Sequence, residues 1–131
     1  MKTHCFRLTR GTDLLSALRS YATEHDLSAA VLLSAVGSLS EARIRCADGV
    51  TVHTIEKPLE IVSLFGTLSK ERCHLHIALS DTDLHTVGGH LMDGCLIHTT
   101  AEIVLLALDD VRFSSVFDEE TGYRELLILP R

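Results

Sequence analysis

From Ala29 to the C-terminus, the sequence consists of short apolar or alternating segments separated by turn signals. Alternation with a period of two residues is typical of β-strands, because successive side chains point to opposite faces of a sheet. Asp48-Gly49 and Asp93-Gly94 are the clearest signals for tight turns between such strands. We expect one strand to end at Gly37 and a separate one to cover EARIRCA. The pattern predicts about seven or eight strands.

The N-terminal part of the chain has a different periodicity. Residues 3–9 predict a first strand. The apolar residues that follow recur at helical spacing and predict one helix, with Thr12 as its N-cap and its end between Glu24 and Asp26. These residues are Leu14, Leu15, Leu18, Tyr21 and Ala22. We therefore predict the α+β class, with an N-terminal helix and a mixed or antiparallel sheet in a single domain over residues 1–131.

Composition indicates a globular chain and argues against wholesale phosphate binding. Hydrophobic residues make up 46% and charged residues 23%, which is the range of folded domains. The formal net charge of −6 opposes the phosphate contacts that dominate affinity for nucleic acids. The longest basic clusters are Arg7 with Arg10 and Arg43 with Arg45, which we interpret as ordinary solvated strand positions.

The cysteines and the N-terminus predict a cytoplasmic protein with reduced thiols. No Cys-x-x-Cys pair occurs among the four cysteines, so a structural zinc knuckle is not expected. The N-terminus lacks the apolar segment of a signal peptide, and no apolar run reaches about 18 residues. Cys5, Cys46 and Cys95 are expected to be small buried hydrophobes. Cys73 and His74 should point to opposite faces, which disfavours a nucleophilic pair.

The segment HLHIALSDTDLHTVGGHL contains four of the eight histidines. If HLHIALS is a strand, Leu75 faces the core while His74 and His76 share the other face, where two imidazoles can bind one metal ion. His90 is the leading third ligand, because Gly88-Gly89 allows the chain to turn back or to approach another group closely. The reserve ligands are Glu102, Asp81 and Cys73.

An ordinary sheet is the alternative, because His-x-His occurs often by chance in a histidine-rich chain. His4, His25 and His53 are expected at the surface. His85 falls in a polar loop and His98 on the next strand, where each would be a polar residue with its own hydrogen bonds.

The segment also resembles the first metal motif of cupins, with Asp81 in place of the usual glutamate. Gly66 is displaced from its place in that motif, and a second motif is missing downstream. The N-terminal helix fits a cupin barrel poorly.

A closer resemblance is to the plants-and-prokaryotes-conserved (PPC) domain, which accompanies AT-hooks in plant nuclear proteins and stands alone in prokaryotes. HLHIALSD, VGGHL and DGCLIHTTAEIVL look like its signature. FRLTRGTDLLSALRSYATEHDL looks like its opening strand and helix, and AAVLLSAVGSLSEARIR looks like its second strand. The similarity covers residues 4–130.

The resemblance implies a homotrimer whose His74, His76 and His90 hold a metal ion, which we expect to be zinc. Such domains are often described as DNA-binding, but this chain has no Arg-Gly-Arg core of an AT-hook. We therefore expect a trimeric zinc-binding module with a regulatory or interaction role. Its expected partners are its own copies and a further protein, and we expect neither a nucleic acid nor a membrane as partner. The alternatives are a small zinc enzyme that uses Glu102 or Glu60 as general base, and a DNA-binding protein.

Overall fold

The computed structural model describes residues 1–131 and contains one helix and nine strands. The helix α1 (Leu14–Glu24) lies between the first two strands. The strands are β1 (Lys2–Thr9), β2 (Ala30–Arg45), β3 (Val52–Ile55), β4 (Leu59–Leu68), β5 (Cys73–Ser80), β6 (Thr86–Leu91), β7 (Leu96–Ala107), β8 (Val111–Phe117) and β9 (Arg124–Pro130). Every strand pair is antiparallel. The α+β class is confirmed, and the predicted strand number was too low.

Seven strands form one sheet in the order β1-β7-β2-β4-β5-β6, with β3 paired to the end of β2. β6 also pairs with β2, where Ile44 lies opposite Leu91 and Arg45 opposite His90. β2, β4, β5 and β6 therefore form a closed circuit of paired strands. This closure brings the C-terminal end of β2 beside the histidine-bearing strands.

The predicted end of a strand at Gly37 is wrong, because Gly37 lies inside β2, which is 16 residues long. A Cβ atom at Gly37 would lie 2.0 Å from the carbonyl oxygen of Thr100 on β7. Glycine is therefore needed here for close approach between strands, not for a turn. Three register shifts between β2 and β7 let this long strand bend toward different neighbours.

Helix α1 packs against the hydrophobic-core face of the main sheet. Its buried residues Leu14, Leu15, Leu18 and Ala22 join the main hydrophobic core. The prediction of Thr12 as the N-cap is wrong, because the N-cap is Asp13. The Asp13 carboxylate accepts a hydrogen bond from the Ser16 amide at 3.1 Å. The same side chain accepts a second bond from the Gly94 amide at 2.6 Å, which ties the helix start to the β6–β7 loop.

The two Asp-Gly turns have different roles. Asp48-Gly49 joins the paired strands β2 and β3, as predicted, and Gly49 has a φ of +76°. Asp93-Gly94 lies between β6 and β7, where Gly94 has a φ of +100°, but these two strands do not pair with each other.

Strands β8 and β9 form a separate hairpin that packs against the end of the main sheet. Phe113 is buried, and its carbonyl oxygen accepts a hydrogen bond from the Ser69 hydroxyl at 3.1 Å. The Phe113 amide donates to the carbonyl oxygen of Ser28 at 2.9 Å. The hairpin is thus fixed where its turn can reach the histidine-bearing strands. The single helix, with 11 residues, is too short to cross a membrane.

Candidate metal centre

His74, His76 and His90 lie together on two adjacent strands. His74 and His76 share one face of β5, and His90 on β6 stands directly opposite His76 in the register. One ring nitrogen from each histidine lies within 4.8 Å of those of the other two. The ring centroids are 5.1 Å (His74–His76), 5.2 Å (His74–His90) and 5.7 Å (His76–His90) apart. The structure therefore brings together the three residues that the sequence analysis singled out.

Strand alternation places the first two histidines. Leu75 and Ile77 are buried in the core, whereas His74 and His76 are exposed on the opposite face, as predicted. Cys73 packs against the core and diverges from His74, also as predicted. Burial raises the pKa of the Cys73 thiol to about 11, so this thiol is protonated at neutral pH.

His90 reaches the cluster on a paired strand and not on a loop that turns back. A Cβ atom at Gly89 would lie 2.6 Å from Cγ2 of Ile44 and 2.7 Å from the carbonyl oxygen of Arg45. The glycine therefore permits close packing of β6 against β2. Of the two roles that the sequence left open for the glycine pair, close approach is the one observed.

The environment keeps two of the imidazoles in the neutral form that binds metals. Burial, followed by the charges of Arg45, His74 and His76, lowers the pKa of His90 to about 4. His74 is exposed as a residue, but its ring is partly shielded from water, and this partial desolvation is the first cause that lowers its pKa, followed by the charges of His76 and Arg72. The Nδ1 atom of His90 is buried and has no hydrogen-bond partner. A buried nitrogen without a partner is costly, and a metal ion would satisfy it.

The reserve ligands lie outside the cluster. Asp81 groups with Asp83 and His85 at the end of β5 and forms an ion pair with Lys57 at 2.9 Å. Glu102 lies on β7, which pairs with β1 and β2 but with neither β5 nor β6. The third reserve ligand, Cys73, is not part of the cluster either. Glu60, which was a candidate general base and not a reserve ligand, stands opposite Ser80, at the far end of β5 from His74.

The remaining histidines and cysteines follow their predicted positions in part. His25 and His53 are exposed as predicted, His85 lies in the loop before β6, and His98 is half-buried on β7. His4 is buried, contrary to prediction, and its Nδ1 lies 3.0 Å from the Tyr21 hydroxyl.

The three cysteines predicted to be buried differ in exposure. Cys95 is buried as predicted, and Cys46 is half-buried. Cys5 is exposed, contrary to prediction, because its side chain points to the outer face of β1.

Two arginines beside the cluster were missed by the sequence analysis. Arg45 is half-buried and lies opposite His90, so its interpretation as an ordinary solvated residue is wrong. Its Nε atom and Nη1 of Arg72 are both buried without hydrogen-bond partners. No local pattern marks either residue, because Arg45 is placed by the closure of β2 onto β6 and Arg72 by the turn between β4 and β5.

The fold and site define a class of small α+β domain with three clustered histidines on its sheet. Residues 1–109 match the model of the Plants and Prokaryotes Conserved (PCC) domain, so the chain belongs to this family. The PPC resemblance is thereby confirmed, and the cupin alternative is set aside. The matched range ends before the β8–β9 hairpin begins.

Known relatives extend the similarity to nearly the whole chain. The bifunctional protein GlmU of Synechococcus sp. (strain JA-2-3B'a(2-13)) is 46% identical over 130 residues, which are 99% of this chain and 21% of that protein. The chain thus spans 21% of the length of each of the two curated relatives it matches.

Two solved structures share the fold closely. A hypothetical protein from Salmonella cholerae-suis has 34% identity and a TM-score of 0.96, over 99% of this chain and 94% of that one. The metal-containing protein AF0104 from Archaeoglobus fulgidus has 31% identity and a TM-score of 0.85, over 97% of this chain and 94% of that one.

Proposed function

We propose that this PCC-family chain is a zinc-binding module in which His74, His76 and His90 hold the metal. The observation that carries the proposal is the convergence of three ring nitrogens within 4.8 Å of one another. The buried, unpartnered Nδ1 of His90 supports it, since that atom lacks any other bonding partner. The similarity to a metal-containing protein from Archaeoglobus fulgidus adds further support.

Zinc is the metal that suits this donor set best. Neutral imidazoles are favoured ligands of zinc, and three protein ligands leave a fourth position for water or another ligand. A zinc ion bound in this way supplies Lewis acidity and lowers the pKa of a bound water molecule. The protein's own contribution is to hold three imidazoles at fixed spacing on paired strands.

Metal analysis of the purified protein tests the proposal. We expect close to one zinc ion per chain by plasma mass spectrometry, and loss of that zinc in a His74→Ala, His76→Ala double variant. The matched control is a His25→Ala, His53→Ala double variant, which removes two exposed histidines outside both the cluster and the Asp81–Asp83–His85 group. Equal zinc content in the two double variants would contradict the proposal.

Self-association is the second part of the proposed function. Leu33 and Val36 on β2 and Val62 and Phe65 on β4 are 49%, 58%, 59% and 62% exposed. These residues lie on neighbouring strands, and an apolar surface of this kind is typical of an interface. We propose that copies of this chain cover it in a homotrimer, as the family resemblance implies.

Light scattering coupled to size exclusion tests the assembly. The expected mass is three times that of the 14.4 kDa chain. A Val36→Glu, Phe65→Glu double variant should shift the mass toward the monomer, while Val50→Glu at an exposed turn should not. A monomeric mass for the unaltered protein would refute the trimer.

A regulatory or interaction role is favoured over catalysis and DNA binding. Neither Glu102 nor Glu60 lies in the histidine cluster, so neither is placed to act as general base there. The net charge of −6 and the missing AT-hook oppose DNA binding. We propose a cytoplasmic setting, which agrees with four free cysteines.

A further inference from the structure

Three arginines converge beside the histidine cluster. Arg45 comes from the end of β2, Arg72 from the turn before β5, and Arg124 from the start of β9. Together with His74 and His90 they line a cavity of about 260 Å³. The family model matches residues 1–109, and Arg124 belongs to the β8–β9 hairpin beyond that range. The cavity therefore also depends on a part of the chain outside the range that the family model matches.

None of these arginines is neutralised by a carboxylate. The salt bridges of the chain use other cations, namely the N-terminus, Arg19, Lys57, Lys70 and His85. Arg124 donates only to the hydroxyl and carbonyl oxygens of Ser115, at 3.0 and 2.9 Å. The Nε atom of Arg45 and the Nη1 atom of Arg72 are buried with no acceptor. A partly desolvated guanidinium without a counter-charge is costly, and it is unexpected in an acidic chain.

The cavity has an excess of positive charge. Glu125 is the only acidic residue that lines it, against three guanidinium groups. Tyr123 contributes a phenol to the same wall. A second cavity of about 660 Å³ adjoins the first across Arg45, His90 and Tyr123, so a ligand can extend beyond the cluster.

We infer that Arg45, Arg72 and Arg124 bind a small oxyanion, a carboxylate or phosphate group of a low-molecular-weight ligand, beside the histidine cluster. One part of this inference rests on the proposed function, namely that an oxygen of this anion occupies the fourth coordination position of the metal. Guanidinium groups suit the task, because their planar array of donors matches the oxygens of carboxylates and phosphates. The concave shape and small volume favour a small ligand over a nucleic-acid backbone.

Binding of inorganic phosphate and of acetate to the whole protein tests this inference. Calorimetry on metal-free protein measures the contribution of the arginines alone. Visible spectra of the cobalt-substituted protein report whether the anion enters the coordination sphere. We expect whichever of phosphate and acetate matches the natural group to bind to both the metal-free and the metal-loaded protein. Binding should be tighter when the metal is present, and it should change the cobalt spectrum.

Variants separate the arginines from the metal ligands. Arg45→Gln, Arg72→Gln and Arg124→Gln should each weaken anion binding on the order of tenfold, the usual effect of losing a charged hydrogen bond. All three should keep the metal content of the unaltered protein. Arg10→Gln is the matched control, because this exposed arginine donates to the carbonyl oxygen of His98, away from the cavity. Arg45 and Arg72 are half-buried, and replacing either could perturb folding, whereas Arg124 is exposed. The Arg124→Gln variant therefore still tests the anion site if the other two variants do not fold.

The outcomes distinguish the two proposals. A protein that binds no metal but binds phosphate or acetate through these arginines would refute the metal centre and retain the anion site. A protein that holds zinc but binds neither anion, or binds them equally well in all variants, would refute the anion site. Displacement of phosphate by duplex DNA with a steep salt dependence would also refute it, since the ligand would then be a nucleic acid.

Discussion

At the scale of single residues, Gly89 determines whether His90 can join the cluster. The position has no room for a side chain, because Ile44 and the Arg45 carbonyl oxygen on β2 occupy the space that a Cβ atom would need. The absence of a side chain lets β6 pair with β2 and β5 at once. His90 is thereby held opposite His76.

We predict that Gly89→Ala separates β6 from β2. Overpacking of this kind costs about 1–3 kcal/mol of unfolding free energy, and we expect zinc content to fall with it. Chemical denaturation and metal analysis measure the two effects. Thr86→Ala, at an exposed position of the same strand, should change stability by less than about 0.5 kcal/mol. Unchanged stability and zinc content in Gly89→Ala would show that the close approach is not needed.

At the scale of elements, Asp13 links the helix to the strand system. It caps α1 through the Ser16 amide and also accepts from the Gly94 amide, so one carboxylate orders two segments that are distant in sequence. Thr12 instead uses its backbone, with its carbonyl oxygen accepting from the Ile97 amide at 2.9 Å.

Replacing each candidate cap with alanine distinguishes them. Asp13→Ala should lower the unfolding free energy by about 1 kcal/mol or more, since it removes a helix cap and leaves the Gly94 amide without its acceptor. Thr12→Ala should cost less than about 0.5 kcal/mol. Denaturant midpoints at fixed slope provide the comparison. Equal losses in the two variants would contradict the assignment of the cap to Asp13.

At the scale of the whole molecule, several histidines make folding sensitive to mild acid. Burial is the leading cause that lowers the pKa of His4, of His74 and of His90, the last to about 4 from an ordinary 6.5. Between these two pH values the unfolded chain binds protons that the folded chain does not. Stability therefore rises with pH across this window and falls as the pH drops below 6.5.

Urea unfolding of metal-free protein checks this expectation. The midpoint should fall between pH 7 and pH 5, and the fall should be smaller in His90→Gln, which removes the most strongly shifted group. His53→Gln, at an exposed histidine, should keep the full pH dependence. A midpoint that does not change with pH would contradict the assigned neutral state of these histidines.

The periodicity of the sequence was sufficient for the fold class and for part of the site. Alternation in HLHIALS correctly separated the buried Leu75 from the exposed His74 and His76. Helical spacing identified α1. Periodicity failed at Gly37, where a glycine that suggests the end of a strand is required by a close neighbouring strand. At TVGGHL the sequence left a turn and a close approach open, and the close approach is observed. Local sequence does not reveal which strand a glycine will face.

By itself the sequence determined which faces of β5 and α1 are buried, because a side chain's direction along a strand or helix depends only on local geometry. On β1 the same reasoning was wrong, since His4 is buried and Cys5 is exposed. It also identified His74, His76 and His90 as a group, through spacing and family resemblance. The tertiary structure decided that His90 lies opposite His76, that Arg45 stands beside them, and that Arg72 and Arg124 share one cavity with them. These contacts join residues far apart in the chain. They exist only because β2 bends to pair with β6 and the hairpin packs close by, which no local pattern specifies.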